Sequence, residues 1–320
     1  GNSGIQQETQ TLGENLTYFG DYELGIADST PYEGSYYIDG YGPLTGTLDY
    51  DGSWDLGGGN VLDVAGGNLN GSRPDMYIVA VSGHKSVGVL VGESIIWKDL
   101  DFYPVAVDAG DTDGDGLDEV IAISASGETA VCDYGFWSCS IWEFSGNVEQ
   151  LDVAAGDVDG DAIEEVVILL DYEGYRYLYA MNIDAEYSGQ PENYQAGVDG
   201  GHVAVAAGDI DSDYVGEVVV LLDGGWFGWW DDSLAVYEAS VGEEGGDLIQ
   251  SYSAEIDGYA GMVDLDVADT DADEKAEVVV VSDDGYAAVY RTAGLALVPK
   301  YITQLDVTVS PQRIAMADHD

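Results

Sequence analysis

Short acidic loops recur along the chain, and each places its acids at alternate positions. Four loops carry acids at positions 1, 3, 5 and 9: Asp111, Asp113, Asp115 and Glu119; Asp157, Asp159, Asp161 and Glu165; Asp209, Asp211, Asp213 and Glu217; and Asp269, Asp271, Asp273 and Glu277. A weaker loop carries Asn68, Asn70 and Ser72. Alternate side chains of a curled backbone turn inward and converge. Because Ca²⁺ takes six to eight oxygen ligands at about 2.3–2.6 Å, these residues are predicted calcium ligands.

The residues after each loop predict a strand. Every position-9 glutamate opens a run of about five or six residues rich in Val and Ile, which is typical of a buried strand. An EF-hand would need helical flanks and an acid at position 12, where this chain has Ala122, Ile168, Val220 and Val280. Each loop is therefore predicted to join two β-strands.

The spacing of the loops predicts the architecture. They start at residues 68, 111, 157, 209 and 269, with a partial copy at 318, so the repeat is about 40–60 residues long. Repeats of this length that hold several short strands are typical of propeller blades with four strands each. We expect an all-β protein with almost no helix: a β-propeller of four-stranded blades, with a calcium loop between the first two strands of each blade.

The two ends of the sequence bear on the number of blades. The last strand, 313–317, has no hairpin after it, and residues 16–58 have the length of three strands. If these segments share a blade, the ring has six blades, which we favour; if a further blade follows residue 320, it has seven. We predict one domain over residues 16–320, with residues 1–15 as a flexible arm or an arm that reaches a neighbour.

The repeated pattern resembles the FG-GAP or VCBS repeat, known from the calcium-loop propeller of the integrin α-subunit head. An apolar strand precedes Ala-Gly-Asp-x-Asp-x-Asp, and Glu-Val-Val-hydrophobic follows, at 107–123, 153–169, 205–221 and 267–281, with a degenerate copy at 64–81. The Phe-Gly and Gly-Ala-Pro elements that name the family are not evident. The resemblance implies calcium-stabilised blades.

Charge narrows the setting. The chain has 62 acidic and 8 basic residues, a formal net charge of −54. Four acids in each loop account for about 16–20 of the total, and we expect the rest on the surface. Such a surface repels nucleic acid and anionic lipid. A saline habitat would make the self-repulsion tolerable, because the screening length falls to about 3 Å at 1 M salt. We predict a halophilic origin.

Several features point to an extracellular location. Calcium loops fill readily where calcium is plentiful. Cys132 and Cys139 have the spacing of a disulfide that closes a hairpin tip, the alternative being two free thiols. Asn15 begins a glycosylation sequon, and the chain contains no apolar run long enough for a membrane span. We expect a processed, secreted or cell-surface glycoprotein.

Catalysis finds little support in the sequence. The three histidines, at 84, 202 and 319, have no nucleophile partner in sequence, and the Gly-x-Ser-x-Gly elbow is absent. We therefore predict a protein that is not an enzyme.

An aromatic cluster is the candidate binding surface. It consists of Trp226, Phe227, Trp229 and Trp230, flanked by glycines, where the hairpin tip of the fourth blade should lie. Exposed aromatics of this kind mark protein contacts or sugar-stacking platforms; the alternative is packing against the neighbouring blade. We predict an adhesion, surface-structure or self-assembling module that binds copies of itself, another surface protein or glycans. The rivals are a carbohydrate-binding propeller and a propeller domain of a larger extracellular hydrolase.

Overall fold

The computed structural model describes most of the chain from Tyr22 to Asp318. The described ranges are 22–28, 37–42, 49–55, 61–71, 76–81, 83–91, 94–133, 138–144, 148–183, 193–198, 201–223, 232–240, 246–256, 261–269, 275–282, 286–294, 296–304 and 311–318. Within these ranges all regular structure is β-strand, so the prediction of an all-β protein is confirmed. No helix in the described part has the length and apolar character that a membrane crossing requires.

The strands form six antiparallel units of four strands, numbered here as blades 1 to 6 in chain order. Blades 1 to 3 hold β4 (Val61–Gly67), β5 (Met76–Val81), β6 (Ser86–Val91), β7 (Ser94–Asp99); β8 (Pro104–Gly110), β9 (Glu119–Ser124), β10 (Glu128–Cys132), β11 (Cys139–Glu143); and β12 (Val148–Gly156), β13 (Glu165–Tyr172), β14 (Tyr175–Met181), β15 (Asn193–Val198).

Blades 4 to 6 hold β16 (Gly201–Gly208), β17 (Glu217–Asp223), β18 (Ser233–Ala239), β19 (Gly246–Glu255); β20 (Met262–Ala268), β21 (Glu277–Ser282), β22 (Tyr286–Thr292), β23 (Leu297–Gln304); and β24 (Pro311–Asp318), β1 (Tyr22–Asp28), β2 (Tyr37–Gly42), β3 (Asp49–Asp55). The outer strands of blades 3 and 4 also pair with each other in parallel, through Tyr194 with Gly246 and Gln195 with Asp247.

Blade 6 combines strands from the two ends of the chain. β24 pairs antiparallel with β1, from Tyr22 opposite Asp318 to Asp28 opposite Pro311. β24 also lies between the innermost strands of blade 5 and blade 1, β20 and β4. The innermost strands β4, β8, β12, β16, β20 and β24 thus follow one another around a common axis. This is a β-propeller arrangement, and its blade count is the six that the sequence favours.

The hydrophobic core lies between the blades rather than inside any one of them. The second strand of each blade from 1 to 5 is almost wholly buried, as in β9, β13, β17 and β21, because both of its faces pack on neighbours. One cluster joins blades 1 and 2 through side chains such as Ile78 and Val120, and further clusters join blades 2 and 3, 3 and 4, and 4 and 5. Double-sided burial is the reason these strands read as continuous Val and Ile runs.

Small residues at the ends of the inner strands let the blades approach each other closely. A Cβ built on Gly156 would lie 2.6 Å from Cβ of Ala207 in the next blade, and one built on Gly208 would lie 2.7 Å from Cγ1 of Val267. Gly67 and Gly110 face Ala109 and Ala155 in the same way. The glycine directly before loops 1 to 4 is therefore a packing requirement, and it brings the loops together at one end of the ring.

Candidate metal centres

The acidic loops, numbered here 1 to 5 after their blades, connect the first strand of each blade to the second. Loop 2 runs from Asp111 to Glu119, loop 3 from Asp157 to Glu165 and loop 4 from Asp209 to Glu217. In loops 2 to 4 the position-1 carboxylate holds the curl by accepting three backbone N–H bonds, from positions 4, 5 and 6. The position-5 carboxylate accepts the N–H of position 7 in the same three loops.

The curl needs left-handed backbone at positions 4 and 6. Gly114 and Gly116 supply it in loop 2, with φ of 74° and 87°. In loops 3 and 4 three non-glycine residues adopt the same conformation, Ala162, Ser212 and Tyr214, each with φ of 69°. A left-handed residue other than glycine costs roughly 1–2 kcal/mol. The carboxylate hydrogen bonds of the loop offset that strain.

Three groups of carboxylates in the described residues lie close enough to share one cation. They are Asp111 with Asp113 and Asp115, Asp157 with Asp159 and Glu165, and Asp209 with Asp211 and Glu217. In each group the ligand oxygens lie within 4.8 Å of one another. Oxygens on opposite sides of a Ca²⁺ ion are about 4.6–5.2 Å apart, twice the Ca–O distance. The three oxygens of each group are therefore close enough to bind one cation together, and the donors are all hard oxygens.

The groupings are smaller than the sequence pattern. Glu119 falls outside the loop 2 group, and Asp161 and Asp213 fall outside the groups of loops 3 and 4. Glu119 instead accepts hydrogen bonds from the backbone N–H and the hydroxyl of Thr112, both 2.9 Å long.

The position-9 glutamates are buried, and one of them has an unpaired oxygen. Oε2 of Glu165 accepts the N–H of Val158 at 2.9 Å, and Glu217 accepts the N–H of Ile210 in the same way. Glu165 is 0 % exposed, and its Oε1 has no hydrogen-bond partner among the described residues. A buried carboxylate oxygen without a partner is costly unless a proton or a cation binds it.

Burial raises the pKa values of these glutamates. Burial first, and then neighbouring aspartates, raise the pKa of Glu165 to about 9 and that of Glu217 to about 8. Burial likewise raises the pKa of Glu119 to about 7, against the opposing hydrogen bonds from Thr112. Without a cation the loops thus hold protons at neutral pH. A divalent cation would replace those protons and keep the carboxylates charged.

Neighbouring loops are tied to each other around the ring. The N–H of position 8 in loops 2 to 5 donates to the carbonyl of position 1 in the preceding loop, as in Glu164 to Asp111 at 3.0 Å and Ala276 to Asp209 at 2.9 Å. The equivalent bonds join Asp118 to Asn68 and Gly216 to Asp157. The order of one loop therefore supports the next.

Loops 1 and 5 are described in part. In loop 1, Asn68 Oδ1 accepts the N–H of Gly71 at 2.9 Å, and Asn70 is also described, whereas Ser72 lies outside the described residues. In loop 5, Asp269 and Glu277 are described, and Asp271 and Asp273 lie outside. Glu277 has a different environment from its counterparts: Nζ of Lys300 lies 2.6 Å from its Oε1.

Of the remaining predicted sites, one lies in the described part of the chain and two lie outside it. Cys132 and Cys139 form a disulfide across the β10–β11 pair, with their Cα atoms 4.1 Å apart. Asn15 and the aromatic cluster of Trp226, Phe227, Trp229 and Trp230 lie outside the described residues.

A second acidic cluster lines the axis, and it was not predicted from the sequence. Asp63, Asp152 and Asp264 lie five positions before their loops and are buried, so part of the acidic surplus expected on the surface is internal. Each accepts a backbone N–H from the inner strand of the next blade, Val107, Val205 and Ile314 respectively, at 2.7–2.8 Å. The signal was available in the sequence: an acid at an inward position of an apolar strand.

Asp108 and Asp266 extend this clamp nearer the loops. Asp108 accepts the N–H of Ala155 at 2.6 Å, and Asp266 accepts that of Met316 at 2.6 Å. Both line a cavity of about 200 Å³ on the axis, together with acidic side chains that include Asp118 and Glu164 and with no basic side chain. Burial raises the pKa of Asp266 to about 7, and burial and then the charge of Asp266 raise the pKa of Asp108.

The chain is similar to known proteins in fold alone. No protein-family model matches the chain, and no curated protein matches it. Among solved structures, the chain is similar to BBS1N in complex with ARL6DN, seen in crystals soaked with mercury and with lead. The mercury-soaked structure has a TM-score of 0.54 at 10% identity, over 82% of this chain and 77% of that one; the lead-soaked structure has 0.55 at 12%, over 93% and 81%. At these identities the likeness is one of fold, and it agrees with the blade architecture: the chain is a β-propeller.

Proposed function

We propose that the protein is a calcium-stabilised, non-catalytic β-propeller that acts outside the cell as an adhesion, surface or self-assembling module. The observation that carries the calcium assignment is the buried Oε1 of Glu165, which has no partner and belongs to a group with Asp157 and Asp159. Three carboxylates leave a large negative charge in a small volume, which a divalent cation would neutralise. The loops also resemble the FG-GAP pattern in their acids at positions 1, 3, 5 and 9.

The chemistry of the donors favours Ca²⁺ over other ions. The groups in loops 2 to 4 contain carboxylates alone, without the histidine or cysteine that zinc and copper prefer. Mg²⁺ demands octahedral geometry at about 2.0–2.1 Å and gives up water reluctantly. The loops offer several carboxylate and carbonyl oxygens on a curled backbone, and the flexible coordination of Ca²⁺ suits such a ligand set better.

The setting and the role rest on separate observations. The disulfide between Cys132 and Cys139 supports an oxidising compartment, where calcium is also plentiful. The solved structures to which the chain is similar are complexes of BBS1N with ARL6DN, so a propeller of this general fold can serve as a protein-binding platform. We extend that role to this chain, with a second copy or another surface protein as partner.

The metal assignment is tested by melting the protein with calcium, with magnesium and with a chelator. We expect calcium to raise the melting temperature and magnesium to rescue it poorly. Each site stabilises by about 2.7 kcal/mol when free calcium is 100-fold above its Kd. Glu165→Gln should lose part of the effect, whereas Glu149→Gln, which changes an exposed glutamate, should keep it. Superimposable melting curves in calcium and chelator would refute the assignment.

The assembly role is tested by changing Trp229 and Trp230 to Ser. We expect the double variant to remain monomeric in analytical ultracentrifugation, where the wild type assembles, and to keep its calcium-dependent melting. Unfolding of the variant would show that the aromatics are packing residues. Quenching of tryptophan fluorescence by soluble oligosaccharides would favour a glycan partner instead.

A further inference from the structure

A lysine on β23 places its positive charge against the last residue of loop 5. Nζ of Lys300 lies 2.6 Å from Oε1 of Glu277, and the two side chains are 8 % and 2 % exposed. The pair is thus a buried ion pair at the position-9 glutamate, the same position that is buried in loops 2 to 4. The chain has only 8 basic residues against 62 acids, and one of these few basic residues neutralises this buried carboxylate.

Comparison with loop 3 shows why a buried position-9 carboxylate requires a positive charge beside it. Oε1 of Glu165 is buried and unpaired there, and the cation that we propose for loop 3 would bind it. In loop 5 the corresponding oxygen already has an ammonium group at hydrogen-bond distance. Lys300 therefore supplies the positive charge at Glu277, whereas at Glu165 a bound cation would have to supply it.

The backbone fixes Lys300 in this position. In the β22–β23 pair, Val289 faces Tyr301 and Tyr290 faces Pro299, so Lys300 is the extra residue of a β-bulge. Bulges re-aim a side chain relative to the regular alternation of a strand. To bind a metal through Glu277, the loop would have to leave the buried ammonium without its partner, which is strongly unfavourable.

A second lysine of the same blade has a related role. Nζ of Lys275, at position 7 of loop 5, donates to the backbone carbonyl of Asp211 in loop 4 at 3.0 Å. Lys275 is exposed in that contact and Lys300 is buried, so Lys300 is the one that neutralises a buried carboxylate. Blade 5 is accordingly the blade in which lysine side chains reach acidic loops.

We propose that Lys300 is an internal counter-ion that takes the place of a calcium ion at Glu277, so that this buried carboxylate is neutralised without metal, whereas Glu165 requires a cation. The inference rests on the proposed function, because it divides the position-9 glutamates of the predicted calcium loops into two kinds. Its consequence is that Glu277, unlike Glu165, contributes no oxygen to bound calcium.

The experiment counts bound calcium per chain by equilibrium dialysis at saturating calcium. The chains compared are the wild type, Glu165→Gln, Glu277→Gln, Lys300→Met and the double variant Glu277→Gln with Lys300→Met. We expect Glu165→Gln to lose one calcium relative to the wild type. Glu277→Gln and the double variant should lose none. Lys300→Met should gain one calcium, and its melting temperature should fall further in chelator than that of the wild type.

The outcomes separate the two proposals. Wild-type protein that binds no calcium refutes the proposed function, and the inference falls with it. Wild-type binding in which Glu277→Gln or the double variant loses one ion, as Glu165→Gln does, overturns the role of Lys300 alone. The double variant removes both charges of the pair, and we expect it to stay folded even if a single variant, with one buried charge unpaired, unfolds. Failure of Lys300→Met to gain calcium while it remains folded also contradicts the inference.

Discussion

At the scale of the residue, carboxylates of the loops accept backbone hydrogen bonds and also keep oxygens that could bind a cation. The position-1 aspartates use their oxygens to hold positions 4, 5 and 6, and the position-9 glutamates hold position 2 in loops 2 to 4. What remains is the unshared oxygen, which is unpartnered in Glu165 and paired with an ammonium in Glu277. Charge compensation therefore differs between loops of the same sequence pattern.

The left-handed residues of the loops give a first prediction. Tyr214 has φ of 69° and is 81 % exposed, so its side chain contributes little packing to offset the strain. Tyr214→Gly should raise the free energy of unfolding of the calcium-free protein by about 1 kcal/mol. The matched change in the opposite direction, Gly116→Ala in loop 2, should lower it by a similar amount. Chemical denaturation in chelator measures both, and equal stabilities for all three proteins would contradict the strain.

At the scale of the element, the blades are held by contacts that repeat at fixed positions. Inner strands meet through glycine and alanine, aspartates of one blade accept N–H groups of the next, and each loop donates a backbone bond to its predecessor. The glycine contacts and the loop-to-loop bonds lie at the same end of the ring as the acidic loops, whereas the aspartate bonds lie further along the inner strands. Loss of one contact should therefore affect the adjoining metal loop as well as the blade interface.

Glycine substitutions test this interface. Gly156→Ala would place Cβ 2.6 Å from Cβ of Ala207, and we expect it to lower the free energy of unfolding by about 1–3 kcal/mol and to weaken calcium binding in loop 3. The control is Gly197→Ala on β15, where an added Cβ meets nothing within 4 Å. Denaturation and calcium titration provide the measurements. If both variants behave as the wild type does, close approach of the inner strands does not limit the packing.

At the scale of the whole molecule, acidic groups surround the axis as well as the surface. The axial cavity is lined by Asp63, Asp108, Asp152, Asp264 and Asp266 among other acids, and several of these residues clamp adjacent blades. The clamp is made of acceptors for backbone N–H groups, and ionised carboxylates accept such bonds strongly. Their mutual repulsion in a confined space works against the same clamp.

This opposition predicts a pH dependence. Burial raises the pKa of Asp266 to about 7 in the folded protein, above its unfolded value, so the folded state binds more protons between the two values. The stabilising contribution is present at acid pH and is lost as the pH rises through about 7. At saturating calcium, wild-type stability should fall more steeply than that of Asp266→Asn between pH 5 and 8, by on the order of 2 kcal/mol. Asp133→Asn, an exposed change, should follow the wild type; identical slopes for all three would exclude a titrating Asp266.

Net charge predicts a dependence on salt. At −54 the folded chain repels itself, and molar salt screens that repulsion. With calcium held constant, the melting temperature should rise by several degrees from 0.1 to 2 M KCl. Calorimetry measures it, and a flat profile would argue against the halophilic origin.

Much of this protein was determined by the sequence itself, because the relevant signals are local. Double-sided Val and Ile runs specify buried strands, Asp at positions 1, 3 and 5 specifies a curled acidic loop, and the repetition of both indicates four-stranded blades. The sequence favoured six blades over seven, and the pairing of β24 with β1 accounts for the sixth. The acids of each loop are neighbours in the chain, so the spacing predicts that carboxylates of loops 2 to 4 converge, although not which three of the four acids form each group. The calcium ion itself and the extracellular role remain predictions.

Only the tertiary structure decided which charges meet across the chain. Lys300 reaches Glu277 through a bulge on the outermost strand of blade 5, and no spacing rule links the two residues. Asp108 and Asp266 approach each other on the axis although they are far apart in sequence, and their repulsion exists because the ring brings the inner strands together. Local patterns fix what a segment can become; the burial and the distances that set the charge state of its side chains are properties of the closed packing of the blades.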